Sequence, residues 1–253
     1  MPFNAYGTSE QLRQLIPTGK LRAAINFGNP ILAARSPKTG EPVGVSVDLA
    51  KKLAKLVDAP LQLVLYDAAG EVVAGCEQGE WDVAFVARDP VRGKGIAQTC
   101  PYVLIEGAYL VPEDSPIQRN EDVDRTGTRV VVGKGSAYDL YLSRSLRHAE
   151  IVRSPTSPAV VEAMLAERYE VAAGVRQQLE YDASRLCGLR MLPGRFMVIE
   201  QAVGTPKGRP AAAELLDRFV EEMINCGFVK SSLDTHEIRG ASVAPVGLSV
   251  RAD

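Results

Sequence analysis

Apolar positions recur along this chain with two periods, and the period changes every ten to fifteen residues. In "SVDLAKKLAKLV" (46–57), Leu49, Leu53 and Leu56 fall on one side and Lys51, Lys52 and Lys55 on the other, which predicts an amphipathic helix. "KLRAAINFG" (20–28), "LQLVLY" (61–66) and "WDVAFVA" (81–87) are short apolar runs bounded by turn residues, which predicts strands. Ser9–Ile16 predicts a short helix capped by Ser9. "RSPKTGEPVG" (35–44) predicts a hairpin tip, and "AGEVVAGCEQGE" (69–80) a further helix. Alternating strand and helix in this way implies a parallel sheet covered by helices.

The same grammar restarts further on. "GAYLVPE" (107–113) reads as a strand, and the polar stretch "DSPIQRNEDVDRTG" (114–127) marks a boundary. Strands follow at 128–133, 150–154, 169–175 and near 196–205. Helices are expected at 136–146, 157–168, 180–186 and, most strongly, 211–227, where Gly227 supplies the residue after the helix end. The tail after Gly240 shows no periodicity. Two α/β units of similar grammar suggest two lobes with a cleft between them, a common place for a small-molecule site.

Composition narrows the functions. Of 253 residues, 46% are hydrophobic, enough for one large or two modest cores. The net charge is −2 and no basic run occurs, so nucleic acid is not an expected partner. His148 and His236 stand alone, no CxxC occurs, and neither a metal nor a cofactor is expected. Cys76, Cys100, Cys187 and Cys226 are widely spaced and fit buried free thiols at least as well as disulfides. No run approaches the ~18 apolar residues of a membrane span, so membrane insertion is not expected. The N-terminus lacks the basic and apolar regions of a signal peptide, so a cytoplasmic protein is expected if Met1 is the native start.

The strings "KLRAAINFGNP" (20–30), "GVSVDLAKKLA" (44–54), "EQGEWDVAFVA" (77–87), "DPVRGKGIAQTCPY" (89–102), "DRTGTRVVVGKGSAY" (124–138), "SPAVVEAMLAERYEVAAG" (157–174) and "AVGTPKG" (202–208) occur in order. Together they resemble the type-2 periplasmic solute-binding proteins, in particular the family that binds polar amino acids. That resemblance implies an α/β fold of periplasmic-binding-protein type II: two lobes, mostly parallel sheets with helices on both faces, and a hinge between them. Lobe one would comprise 1–111 and the returning segment 202–253, and lobe two 112–201. It also implies a monomeric, non-enzymatic binding protein serving an ABC transporter permease, and a periplasmic location.

By the same resemblance, Arg92 is the carboxylate-gripping arginine, since a guanidinium fork donates two parallel hydrogen bonds. The alternative is a surface loop arginine. Asp89 stands where the family has threonine; it either caps the turn ahead of Pro90 or lines the ligand pocket with negative charge. Gly135, Ser136 and Ala137 open a helix after a strand, so their N–H groups could hold an anion, or simply form a capped turn. Asn26 and Phe27 close the first strand where the family builds a ligand wall; for Phe27, core packing is an equal reading. Thr99 and Tyr102 are expected to be structural.

One position departs from the family in a way that bears on the ligand. Where the amino-acid binders carry an aspartate for the ligand's α-ammonium, this chain has Val175, followed by Arg176. An ammonium left unpaired in a closed site is costly. The expected solute is therefore a small anion, a mono- or dicarboxylate without the amine, with Arg176 as a second anion contact. Two other functions stay open. One is a lyase of the cyclohexadienyl dehydratase kind, which would need a carboxylate such as Asp89 or Glu200 as general acid or base. The other is a cytoplasmic ligand sensor.

Overall fold

The computed structural model describes residues 6–247. In chain order it comprises α1 (Ser9–Leu15), β1 (Leu21–Asn26), β2 (Ala34–Arg35), β3 (Pro42–Val43), α2 (Val45–Leu56), β4 (Leu61–Tyr66), α3 (Ala69–Glu77), β5 (Val83–Ala87) and β6 (Ile96–Pro112). Then come β7 (Arg129–Gly133), α4 (Ala137–Ser145), β8 (Glu150–Ser154), α5 (Val160–Glu167), β9 (Val171–Val175), α6 (Arg176–Arg185) and β10 (Leu189–Met191). The chain ends with β11 (Met197–Pro206), α7 (Pro210–Asn225), α8 (Phe228–Thr235) and β12 (Ser242–Val243).

Two compact units result: 6–67, 71–104 and 200–247 form the first, 68–70 and 105–199 the second. Strands β6 and β11 each run from one unit into the other. In unit 1, β1 lies between β4 and β5 with parallel register, Leu21 opposite Leu61 and Ala23 opposite Val83. β11 adds antiparallel to β5, Gln201 opposite Ala87. The core is the apolar face that the sequence pattern marks. Trp81, Val72, Ala84 and Ile96 pack in one cluster, and the Trp81 indole N–H donates to the Val72 carbonyl at 2.8 Å. The fully buried Asp82 accepts from Arg22 at 2.8 Å and Arg209 at 2.9 Å, a buried charge compensated from two sides.

In unit 2, β7 lies between β8 and β9, all parallel, and β6 pairs antiparallel with β9, Gly107 opposite Val175. Leu110, Val131, Val160, Met164, Ala172 and Leu179 make its core.

Several sequence expectations need revision. The strand expected at 107–113 is the end of a 17-residue strand, β6. Its start is obscured by "QTCPY", because Pro101 argues against a strand interior. The helix expected at 180–186 begins at Arg176. In the tail after Gly240, where the sequence shows no periodicity, Ser242 and Val243 pair with Leu104 and Val103 of β6. The expected helix 211–227 is followed by α8, which Gly227 separates by taking φ 76°, a conformation glycine adopts without steric cost. The thiols are free, but Cys187 and Cys226 are exposed and Cys76 and Cys100 only half-buried. The expectation of mostly parallel sheets holds for the βαβ ladders, to which β6 and β11 add antiparallel pairs.

Candidate functional site

Parallel strands deliver their carboxyl ends to one edge of a sheet, and antiparallel neighbours deliver their amino ends there. In unit 1 that edge carries Asn26 (end of β1), the segment after Ala87 (end of β5) and Glu200, ahead of the Gln201–Ala87 pair. Asn26, Phe27, Asp89 and Arg92 are thus brought to one edge.

Asp89 is buried. Its carboxylate accepts the Val91 N–H at 2.8 Å and its carbonyl accepts the Gly93 N–H at 2.9 Å, so it caps the turn that leads into the short 3₁₀ segment Arg92–Lys94. Arg92 is 2% exposed, and its Nη1 donates to the Ala87 carbonyl at 2.9 Å. Burial pulls its pKa down to about 10, partly countered by the Asp89 charge.

Asn26 accepts the Gly28 N–H at 2.9 Å, and the Phe27 N–H reaches the Tyr66 carbonyl at 2.9 Å. Half-buried Phe27 carries the Arg35 guanidinium 4.6 Å above its ring. Thr99 is buried, accepting from Val203 N–H at 3.1 Å. Tyr102 is fully buried, edge-on to Phe85. Arg88 pairs with Glu200 at 3.1 Å, which occupies one carboxylate that the lyase reading needs.

In unit 2 the equivalent edge collects Gly133–Ala137, Val175–Arg176 and Glu106 at the start of its part of β6. The Gly135–Ala137 turn is more committed than the sequence implies. The Gly135 N–H donates to Asp139 Oδ2 at 2.8 Å, and the Ser136 N–H donates to the Gly133 carbonyl at 3.0 Å. Ser136 Oγ caps α4 by accepting the Asp139 N–H at 3.0 Å. Arg153 holds the Asp139 carboxylate from the other side at 3.0 Å. At Ala137, the start of α4, the backbone N–H groups have no preceding helical carbonyl. Arg176 is likewise committed: Nε donates to Glu106 at 2.7 Å, Nη2 to the Gly194 carbonyl, and Glu180 lies 3.7 Å away.

Sequence reading missed Glu106 and Arg195. Glu106 takes Arg195 on one oxygen and Arg176 on the other, and these two partners, Arg195 foremost, hold its carboxyl below the usual range. No spacing signal links residues 70 and 89 positions apart; the β6–β9 register brings in Arg176, and the Phe196 N–H to Gly107 carbonyl hydrogen bond brings in Arg195. Among the described residues, no group of three or more His, Cys, Asp or Glu is placed to hold a metal, and no helix is long and apolar enough to cross a membrane.

Two units of this topology, with charged and polar side chains gathered where the strand ends open, define a solute-binding fold of the periplasmic type. The profile of the bacterial extracellular solute-binding proteins, family 3, matches residues 21–235, and the chain belongs to that family. A mutant of ArgBP from T. maritima superposes with a TM-score of 0.76 at 18% identity, covering 89% of this chain and 98% of that one. The cysteine-binding protein from Campylobacter jejuni gives 0.74 at 20% identity, covering 88% and 91%. An ancestral amino acid-binding protein, described as a precursor of cyclohexadienyl dehydratase, gives 0.74 at 18% identity, covering 88% and 98%. Among curated proteins no sequence matches.

Proposed function

We propose that the chain binds a small carboxylate solute lacking an α-ammonium group, as the substrate-binding component of an ABC-type transporter. Family membership supports the binding role. The observation that carries the solute class is Val175. It closes β9 and is the N-cap of α6, and it offers an ammonium group no counter-charge. Arg176, next in the chain, is paired with Glu106 and adds no free counter-charge of either sign. Leaving an ammonium desolvated there would cost several kcal/mol. For the solute's carboxylate, Arg92 is the proposed grip in unit 1. Asn26 and Phe27 are proposed as the wall beside Arg92, with Asp89 acting through the turn it caps.

Native mass spectrometry of the purified protein tests this reading through any solute it retains. A retained mono- or dicarboxylate is the expected result, and a retained free α-amino acid would refute it. Since one structural neighbour is a precursor of a dehydratase, turnover of prephenate or arogenate, followed by ultraviolet absorbance, is the accompanying control. No turnover is expected.

A further inference from the structure

We infer that the groove between α2 and α8 of unit 1 binds a phosphate or diphosphate group of a small molecule, at a site lined by none of the residues of the Arg92 edge.

The two helices meet with matching periods. Asp48, Lys51, Lys52 and Lys55 follow i, i+3, i+4, i+7 on α2, and Phe228, Ser231, Ser232 and Thr235 follow the same spacing on α8. These two faces line a cavity of about 360 Å³. The apolar stripe of α2 is used elsewhere: Leu49 and Leu53 are buried, and the helix packs on β1 and β4.

A helix pair balanced for its own sake sets acids opposite its lysines. Here α8 presents an aromatic ring and three hydroxyls instead. Asp48 is the one acid lining the groove among the described residues, and it is already engaged. Its Oδ2 accepts Ser232 Oγ at 2.6 Å and lies 2.8 Å from His236 Nε2. Elsewhere on α8, Lys230 and Asp234 pair with each other at 2.7 Å and add no net charge. Lys51, Lys52 and Lys55 form no ion pair among the described residues. Lys52 Nζ stands 5.7 Å from the centre of the Phe228 ring. Lys51 and Lys55, one helical turn apart, repel each other.

The groove therefore offers donors and lacks an anion. Besides the three ammonium groups it holds the exposed Ser231 hydroxyl, which forms no hydrogen bond among the described residues. The Thr235 hydroxyl is spent on the Ser231 carbonyl at 2.8 Å. A carboxylate brings two oxygens and one charge to such a site. A phosphate ester brings three terminal oxygens and nearly two charges at neutral pH. Ammonium groups grip phosphate as point charges and need no planar fork. Charge excess and donor number thus select phosphate over a carboxylate.

Calorimetry of the full chain with inorganic phosphate and pyrophosphate, against sodium chloride at matched ionic strength, tests this. Pyrophosphate is expected to bind and chloride to give no heat of binding. Lys51→Gln, Lys52→Gln and Lys55→Gln are each expected to weaken pyrophosphate by about two- to fivefold, as the loss of an exposed ion pair does, and the triple variant by about tenfold or more. Lys38→Gln, at the exposed hairpin tip, is expected to leave binding unchanged. Circular dichroism of the triple variant should match the parent, since the groove lysines carry no part of the core. Pyrophosphate binding that the triple variant leaves within twofold overturns the inference, as does an equal loss in Lys38→Gln or no binding of either phosphate. Sedimentation with phosphatidylglycerol vesicles separates a free phosphate compound from a lipid headgroup: no pelleting is expected, and pelleting by a chain that ignores pyrophosphate overturns the small-molecule assignment.

Discussion

Arg92 sets stability against the proposed solute contact within one side chain. Its charge is held in a buried position, so its pKa falls well below the ordinary arginine value, to about 10. For a base with a depressed folded pKa, the charged form burdens folding at every pH below that value, and the burden lifts only as pH rises through it. Arg92→Met removes the charge, and the Ala87 carbonyl it leaves keeps Gln98 Nε2 at 3.0 Å. The variant is therefore expected to melt at or above the parent temperature without ligand, and to lose the ligand-induced rise in melting temperature. Asp89 gives a complementary pair. Asp89→Asn can still accept the Val91 N–H and should stay within about 0.5 kcal/mol of the parent, whereas Asp89→Ala should lose about 1 kcal/mol in urea unfolding. If Asp89→Asn also keeps solute binding, the residue acts as a cap alone. Glu106 titrates with the opposite sign to Arg92. Its lowered folded pKa stabilises the chain above its ordinary value of 4.5, and that contribution is lost as pH falls through the lowered value. Glu106→Gln should therefore flatten the acid side of a melting-temperature profile.

At the scale of elements, the pattern of apolar positions located what local periodicity can encode. Helix α2 and strands β1, β4 and β5 were legible because a buried face repeats within a few residues. β6 was only partly legible. It holds Pro101 and changes its environment along its length, and no single alternation survives that. α8 lay behind a glycine that ended the preceding helix. Of the site, the Asp89 cap was readable from Asp-Pro. The commitment of Gly135 to Asp139, and of Arg176 to Glu106, was not, because the first needs the turn's three-dimensional course and the second a strand register. Gly133 tests the element that shapes the turn. A Cβ there would lie 2.8 Å from Ser157 Cα and 2.9 Å from Ser157 N, main-chain atoms that cannot swing away. Gly133→Ala should cost about 1–3 kcal/mol, as overpacking does, and weaken solute binding along with stability. A variant as stable as the parent would show that the Gly133–Ser157 approach relaxes freely.

For the whole molecule, the chain builds one unit, crosses along β6, builds the second and returns along β11. Membership of the solute-binding family agrees with that path and fixes the general task. It leaves open which solute; on the proposed reading, Val175 at the end of β9 separates the candidates. Val175→Asp would supply the counter-charge that the α-ammonium lacks, and should narrow the preference for succinate over aspartate, read by calorimetry. The most direct test uses the parent chain with that same pair, succinate and aspartate, which differ only by the amine. At a fixed pH and ionic strength, succinate is expected to bind about 100-fold or more tightly, as several kcal/mol of uncompensated ammonium require. Micromolar binding of aspartate, or of another free α-amino acid, with succinate silent would contradict the account.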